Sequence, residues 1–266
     1  MSLRSALAHR NLLYLLSLKE LRTRYKKSIM GWAWSLLNPL TQMVIFSIIF
    51  LKVFVQIPPT GHPSGIKNFP LFFLCGLLPF NFFAISVGVA IGNVQGGAGL
   101  IKKVRFPHEH LVYSVVIAQF VTMLIEFSVL SVALIIGGNM VLPWLLPLMV
   151  ILLLLALFTT GVALMFAAAN VFFHDVNYLW GILAQLLFYA TPIIYDANSP
   201  KIPRSLRLIS AHSPTGSFIT AVRNVMYDLT MPSLRDFAVL IGYSLVAFTF
   251  GTFVFTRLSP RFAEEM

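Results

Sequence analysis

Long apolar runs, separated by short stretches that carry the charges, are the main pattern along the chain. The longest run, 127–174, contains no Asp, Glu, Lys or Arg, and the loop signal Gly137-Gly138-Asn139 divides it in two. Each resulting run can hold the ~20 apolar residues that cross about 30 Å of hydrocarbon. The pattern predicts six membrane-spanning helices, at residues 29–54, 70–95, 110–136, 144–172, 177–196 and 237–256.

The composition supports a membrane-embedded fold. Hydrophobic residues make up 58% of the 266 residues and charged residues only 11%, whereas a soluble domain carries about 25% charged residues. We therefore predict an all-α polytopic membrane protein with six transmembrane helices, an N-terminal amphipathic interface helix and re-entrant helices before the last span. The one cysteine, Cys75, lies in an apolar run and is predicted to be a small buried hydrophobic residue.

The N-terminal segment is predicted to be an amphipathic helix over residues 3–27. Its apolar stripe comprises Leu7, Leu12, Leu15, Leu18, Leu21 and Tyr25. Such a helix serves as a membrane-surface anchor or as a docking surface for a partner, and the sequence leaves both open. We do not expect a cleaved signal peptide, because Lys19 and Glu20 follow the short apolar core without a small-residue cleavage site.

The basic residues predict the orientation. The first 27 residues carry seven Lys or Arg, the loop after the second span three and the C-terminal end two, out of nineteen. With six spans these three regions share one side, which the positive-inside rule makes cytoplasmic. A net charge of +10 in a soluble protein would suggest nucleic acid. Here the charges flank spans, so membrane lipids are the expected partner and nucleic acid is not.

The segment 197–235 does not read as an ordinary outer loop. It carries five basic residues, four prolines and an apolar stripe at helical spacing that includes Phe218, Val222 and Met226. We interpret it as short amphipathic helices that dip into the outer leaflet and pack against the bundle. Irregular backbone at that depth is tolerated only where protein or water surrounds it.

Chemistry-bearing motifs are sparse. Residues 96–102 are rich in glycine but lack the Gly-Lys-Ser/Thr order of a phosphate-binding loop, and the histidines show no metal-ligand spacing. No cofactor, metal or catalytic residue is therefore predicted in this chain. Glu126 is expected to make an interhelical hydrogen bond rather than couple protons, and Asp175 is expected to cap the helix that starts near Asn177.

The first and fifth predicted spans mix aromatic rings with amides and hydroxyls. Ring faces bind the C–H faces of sugars, and amides and hydroxyls bind sugar hydroxyls, so a wide conduit lined this way would pass a glycan. The candidate substrate-channel residues are Trp34, Asn38, Gln42, Phe46, Phe50, Trp180, Gln185, Phe188, Tyr189 and Tyr195.

Several short motifs resemble the membrane subunit of polysaccharide ABC exporters, the second-type permeases for O-antigen, teichoic acid and related glycans. They occur in family order from about residue 19 to 228. One departure is His174, where the family usually has Arg. The motifs are KELRTRYKKS at 19–28, GWAWSLLNP at 31–39, VRFP at 104–107, FFHDV at 172–176, FYATPIIY at 188–195 and AVRNVMY at 221–227.

The resemblance implies a homodimer that works with two separate ATPase subunits, which hold ATP and Mg. It implies an interface helix at 1–28, a transmembrane domain at 29–257 with a coupling loop at 97–107 and an outer gate segment at 197–235, and a cytoplasmic tail at 258–266. The implied ATPase-coupling residues are Glu20, Arg22, Arg24, Tyr25, Leu100, Ile101, Lys102, Lys103, Val104, Arg105 and Phe106. The implied gate residues are His174 and Asp175 on the cytoplasmic side and Phe218, Val222, Arg223 and Met226 on the outer side.

The expected function is that of a permease subunit that exports a lipid-linked polysaccharide across the bacterial cytoplasmic membrane, through a channel at the homodimer interface. One alternative is an ABC permease for drugs or lipids. Another is an ion-coupled secondary transporter, which would need an internal repeat or ionisable residues at the midplane. A membrane-embedded enzyme would need paired acids or a nucleophile–base pair, and the sequence shows neither pattern.

Overall fold

The structure is a computed structural model that describes residues 10–25, 30–31, 33–53, 60–103, 106–196 and 203–265. The regular elements of these residues are all helical, which confirms the all-α part of the predicted fold; the interface helix and the re-entrant helices stay predictions. The α-helices are α1 (Arg10–Tyr25), α2 (Ala33–Ser47), α3 (Phe69–Gly96), α4 (Ala98–Lys103), α5 (Glu109–Ile136), α6 (Leu145–Phe172), α7 (Val176–Ala190), α8 (Arg204–His212), α9 (Pro214–Arg223), α10 (Leu234–Leu258) and α11 (Phe262–Glu265).

Four of these helices, α3, α5, α6 and α10, are long and apolar enough to cross a membrane. They correspond to the second, third, fourth and sixth predicted spans. At 1.5 Å per residue, a helix as long as α3, with 28 residues, extends about 42 Å, which exceeds the hydrocarbon thickness of about 30 Å. The structure therefore confirms these four helices as candidate spans.

The first and fifth predicted spans are shorter than expected. Helix α2 has 15 residues and continues into a π-helical stretch at Ile48–Val53, and α7 also has 15 residues. Fifteen α-helical residues extend only about 22 Å, which falls short of the hydrocarbon thickness. Among the described residues, six full-length spans are therefore not confirmed.

Helix α3 is the centre of the bundle. It packs against α5, α6, α7 and α9, and most of its side chains are buried, including that of Cys75 as predicted. A helix that is hydrophobic on every face must be enclosed by protein or lipid. Its start is fixed by Asn68, whose side-chain oxygen accepts a hydrogen bond from the backbone N–H of Leu71 at 3.2 Å.

Helices α6 and α10 form the most extensive helix pair. The hydroxyl of Ser244 donates to the carbonyl oxygen of Leu154 at 2.8 Å, and a β-carbon at Gly251 would overlap the backbone of Gly161. Ser244 lies as many residues after Leu154 as Gly251 lies after Gly161, and both contacts advance along the two helices in the same direction. The two helices therefore run parallel and in register. Small residues at this seam let the backbones approach closely, as is typical of helices packed within a membrane.

Side-chain hydrogen bonds tie the connecting segments together at two ends of the bundle. At one end, Asn139 donates to the carbonyl oxygen of Tyr227 at 2.9 Å, and the hydroxyl of Tyr227 accepts from the backbone N–H of Asn68. At the other end, Asn170 donates to Gln95 at 3.2 Å. We refer to these as the 139–227 end and the 95–170 end; they carry the loops predicted to be outer and cytoplasmic, respectively.

Candidate transport path and gate regions

Helix α2 presents polar and aromatic side chains on an open face. Trp34 is 43% exposed, and Asn38 and Gln42 are exposed. Phe46 is half-buried, with its ring 4.9 Å from that of Phe73 and 6.0 Å from that of Phe188. The α2 face is thus held against α3 and α7 by rings, while its amides stay open. The side chain of the predicted channel residue Phe50 lies outside the described residues.

Helix α7 presents a similar face. Gln185 is exposed and Tyr189 is 58% exposed, whereas Phe188 is half-buried and packs edge-on against Phe80 with ring centres 5.5 Å apart. The structure therefore brings Phe46 and Phe188 together between α2 and α7. It leaves the amide of Gln185 and the ring of Tyr189 on the surface, where a second molecule could meet them.

Two other predicted channel residues have inward partners. Trp180 is only 5% exposed, and its indole N–H donates to the carbonyl oxygen of Ala84 at 3.0 Å. Tyr195 is half-buried and donates to the carbonyl oxygen of Ala190 at 2.9 Å. Trp180 therefore packs α7 against α3 inside the protomer rather than facing the open side of α7.

Helix α7 ends early for a local reason. Pro192 cannot continue the helix, and the residue before a proline is driven to extended backbone. Thr191 accordingly has φ −89° and ψ 143°. The backbone carbonyl oxygens beyond such a break have no helical partners, and they need another donor where they are shielded from water.

Arg223 supplies that donor just beyond the helix end. Its guanidinium donates to the carbonyl oxygens of Pro192 and Ile193 and lies 3.6 Å from the centre of the Phe72 ring. The side chain is buried, so its charge is offset by carbonyl dipoles and by the ring face. Arg223 thus clamps the turn after α7 to α3. The sequence predicts an outer-gate residue here but does not predict its partners.

The other predicted outer-gate residues are buried in the bundle. Phe218, Val222 and Met226 are each at most 1% exposed, and the ring of Phe218 lies 5.6 Å from that of Phe158 on α6. Helix α9 begins after Ser213, whose hydroxyl accepts from the backbone N–H of Gly216 at 3.1 Å. Helix α9 and the residues that follow it to Tyr227 are therefore packed into the protein at the 139–227 end, whereas Leu208 and Ile209 of α8 are exposed.

The hydrogen bonds that fix this segment are not predicted by the sequence. Asn139 reads only as part of a loop, yet it is buried and its amide donates to the carbonyl oxygens of Met226 and Tyr227. The hydroxyl of Ser64 donates to the carbonyl oxygen of Tyr227 at 2.7 Å. An asparagine directly after two glycines is the only signal in the sequence, and that pattern also occurs in exposed turns.

At the 95–170 end, the predicted cap by Asp175 is wrong. Asp175 and His174 are both exposed, and the Asp175 carboxylate makes no capping hydrogen bond. The side-chain oxygen of Asn170 instead accepts from the backbone N–H of Asn177 at 3.1 Å. The cap therefore comes from α6, because Asn170 is buried beside the start of α7 and is already anchored to Gln95.

Helix α1 packs on α5. Leu16 and Ser17, which do not belong to the predicted apolar stripe, are buried. Of the stripe itself, Leu12, Leu18 and Leu21 are half-buried and Leu15 is 60% exposed. Two predicted coupling residues on α1 are described with their side chains. Glu20 is partly buried, with its carboxylate oxygen Oε1 3.9 Å from the Nζ of Lys19, and Arg22 is exposed. The side chains of Arg24 and Tyr25 lie outside the described residues, as do residues 1–9 and 26–29.

The predicted coupling loop is only partly described. Ile101 is buried, and Phe106 is half-buried with its ring 5.4 Å from that of His108. The side chains of Leu100, Lys102 and Lys103 and the whole of Val104 and Arg105 lie outside the described residues.

A ring cluster ties this loop to the C-terminal segment. Phe262 is fully buried, and its ring lies 6.1 Å from that of His108, 6.2 Å from that of Phe172 and 5.3 Å from that of Phe255. Burial lowers the pKa of His108, partly offset by a hydrogen bond with the backbone of Ser259, so the neutral imidazole prevails at neutral pH. The coupling loop, the end of α6 and the C-terminal segment therefore share one packed cluster.

Glu126 lies near the middle of α5. It is half-buried beside an apolar groove formed by α2, α3 and α5, and its expected interhelical hydrogen bond stays a prediction. Among the described residues, no group of three or more His, Cys, Asp or Glu side chains could hold a metal ion.

These features define the class of polytopic α-helical membrane proteins. They are the long apolar helices, the buried polar contacts at both ends of the bundle and the open aromatic and amide faces of α2 and α7. Within this class, residues 11–227 match the ABC-2 type transporter family, so the chain belongs to that family.

Three relatives match nearly the whole chain. The chain is 29% identical over 259 residues, 97% of its length and 96% of the relative's, to the O-antigen export system permease protein RfbA of Myxococcus xanthus. It is 31% identical over 256 residues, 96% of its length and 94% of the relative's, to the protein of the same name from Klebsiella pneumoniae. It is 23% identical over 252 residues, 94% of its length and 92% of the relative's, to the polysialic acid transport protein KpsM of Escherichia coli.

Proposed function

We propose that the chain is the permease subunit of an ATP-driven exporter that moves a lipid-linked polysaccharide across the bacterial cytoplasmic membrane. The observation that carries this proposal is the similarity to O-antigen and polysialic acid export proteins over nearly the whole chain. A similarity of that extent includes the long helices, α2, α7 and the segment between α7 and α10 together. It therefore supports a shared transport task rather than a shared helix pattern alone.

The path for the glycan runs between two copies of the chain. Helices α2 and α7 leave amides and rings uncovered, at Asn38, Gln42, Gln185 and Tyr189. A single protomer offers one such face, and two copies facing each other enclose it. Rings stack on sugar C–H faces and amides exchange hydrogen bonds with hydroxyls, so a polymer can pass without a deep binding well.

The energy comes from two separate ATPase subunits, a proposal that membership of the ABC-2 type transporter family supports. These subunits hold ATP and Mg. The docking surface consists of α1 and the 97–107 loop. Closure of the ATPase dimer pushes on this surface, and the cluster around Phe262 carries the displacement to the end of α6, next to the start of α7. Helices α2 and α7 then separate from their copies across the dimer axis.

Helices α2 and α7 are the moving elements of the path, with a proline in or next to each and gate residues at the two ends of the path. Pro39 provides a kink inside α2, and Pro192 ends α7 in a turn, so that both helices can move as rigid bodies. His174 and Asp175, both exposed before α7, form the cytoplasmic mouth of the path. The outer gate region consists of Phe218, Val222, Arg223 and Met226. The protein lies in the bacterial inner membrane with both termini in the cytoplasm.

Reconstitution with the partner tests this function. We expect the chain to co-purify with an ATPase subunit and the complex in proteoliposomes to hydrolyse ATP faster when the cell's own lipid-linked glycan is added. Arg105→Glu should abolish that stimulation and export while the protein still inserts in the membrane. Lys67→Glu, at the other end of the molecule, should leave both unchanged.

The alternatives predict other results. Stimulation by drugs or phospholipids but not by the lipid-linked glycan would favour a permease of different cargo. Transport driven by an ion gradient without any ATPase subunit would favour a secondary transporter. Either result would overturn the proposal.

A further inference from the structure

A polar cavity of about 650 Å³ lies at the 139–227 end, between the turn that follows α7 and the start of α10. The channel residues that the structure describes do not line it, so it is separate from the α2–α7 face. Its volume falls within the range of about 300–1,000 Å³ that is typical of small-molecule sites. Because its walls are rich in polar groups, a ligand of this cavity is expected to be water-soluble.

Some of its polar groups are already engaged in the fold. The carboxylate of Asp228 accepts from the backbone N–H of His62 at 3.0 Å. The Asp236 carboxylate accepts from the backbone N–H of Ser233 at 2.9 Å as part of the cap of α10. The hydroxyl of Tyr243 donates to a backbone carbonyl oxygen at 3.1 Å. These bonds hold the cavity walls in place without a ligand.

Other groups in the walls have no such use. Within the part of the chain that the structure describes, the side chains of Thr220, Asn224 and Arg235 have no hydrogen-bond partner. Arg223 also lines the cavity, but its Nε, which is unpaired among those residues, is shielded by protein and is not accessible to a ligand. The side chains of Thr220, Asn224 and Arg235 are therefore the groups available to hydrogen-bond an occupant of the cavity.

The combination of groups selects the ligand class. Thr220 and Asn224 can both donate and accept, and Arg235 donates. Carboxylates of Asp228 and Asp236 line the same space as the two guanidiniums, so a simple anion such as phosphate would meet repulsion as well as attraction. An apolar ligand would leave the polar groups of Thr220, Asn224 and Arg235 without hydrogen-bond partners. A chain of sugar hydroxyls, each both donor and acceptor, satisfies them.

We propose that this cavity is an exit subsite that binds a short stretch of the glycan within each protomer, after the polymer has left the channel between protomers. This inference rests on the proposed function and adds to it a second place where the cargo is held. Because the cavity belongs to one protomer, a dimer has two such subsites, on either side of the channel mouth.

Binding of a soluble glycan tests the subsite. The probe is the cell's own polysaccharide, released from its lipid by mild acid and labelled with a fluorophore at its reducing end. Its polarisation is measured with the permease–ATPase complex in nanodiscs. Thr220→Trp places a large side chain in the cavity from an exposed position, and it should weaken binding about tenfold or more. Thr249→Trp, an exposed position of α10 outside the cavity, is the matched control and should bind as the unmodified complex does.

The outcomes separate the two proposals. If the unmodified complex exports and binds glycan while Thr220→Trp binds equally well, the subsite is overturned and the exporter stands. If the unmodified complex neither exports nor binds it, the proposed function fails first. Should Thr220→Trp not assemble, Asn224→Leu decides, since it removes both functions of the amide at similar volume. Displacement of the probe by inorganic phosphate alone would overturn the assignment to sugar hydroxyls.

Discussion

At the scale of single residues, Arg223 shows how a charge is accommodated inside an apolar bundle. Its guanidinium donates to the carbonyl oxygens of Pro192 and Ile193, in the turn just after α7, and it stacks on Phe72. The planar fork of arginine can reach two carbonyls and a ring face at once, whereas the ammonium of lysine cannot. The residue is thus needed for its shape as well as for its charge.

Arg223→Lys should therefore destabilise the protein although it keeps the charge. We expect a loss of about 1–3 kcal/mol, because at least one buried carbonyl oxygen loses its donor. Thermal unfolding of the detergent-solubilised protein, followed by gel filtration, measures the effect as a lower melting temperature. Arg257→Lys, at an exposed position near the end of α10, serves as the control. Equal melting temperatures for the two variants would contradict the clamp.

Tyr189 is the residue-scale test of the transport path. Its ring is 58% exposed on α7, so Tyr189→Ala removes little packing and should not affect assembly. If the ring stacks on sugar, export should fall severalfold, because the polymer loses one of its stacking contacts along the path. The rate of glycan appearance at the cell surface is the readout. Phe253→Ala, a ring 61% exposed on α10, should export normally, and an equal loss in both variants would remove Tyr189 from the path.

At the scale of elements, the α6–α10 pair depends on glycine at one seam. A β-carbon at Gly161 would overlap the backbone carbonyl of Ala247, whereas one at Gly242 would meet nothing within 4 Å. The same glycine-to-alanine change is therefore expected to have opposite effects on stability at these two helical positions.

Gly242→Ala should stabilise the protein slightly, by up to about 1 kcal/mol, since alanine favours helix more than glycine does. Gly161→Ala should destabilise it by about 1–3 kcal/mol, because the helices must move apart. Chemical denaturation of both variants in the same detergent measures the difference. A stabilised Gly161→Ala variant would show that the two helices are not in close contact in the membrane.

The elements differ in how well the sequence predicts them. Long apolar runs predict α3, α5, α6 and α10, because crossing lipid demands length and hydrophobicity, both of which are visible in the sequence. The inward rotation of Trp180 is not predictable, since residue type alone does not reveal which face of α7 meets α3. The clamp by Arg223 is equally invisible, because its partners are backbone carbonyls about thirty positions away, which have no residue signature. Asp175 is favoured as a cap over Asn170 only because it is adjacent in sequence to the helix start.

At the scale of the whole molecule, the distribution of basic residues predicts which end faces the cytoplasm. The native cysteine, Cys75, is fully buried, so introduced cysteines can be labelled without background. In intact spheroplasts, a membrane-impermeant maleimide should label Lys67→Cys at the 139–227 end and should label Arg261→Cys only after permeabilisation. Both positions are exposed in the structure. The reverse pattern would invert the topology and with it the direction of the proposed transport.

The parallel register of α6 and α10 also has a practical consequence for following this protein at work. Since Ser244 and Gly251 hold the two helices together at successive points, probes attached to this pair should keep a constant spacing through every stage of a turnover. The constant distance between these two probes would calibrate the measurement. A third probe on α2 or α7 would then report the opening of the passage in ångströms rather than as a relative change in signal.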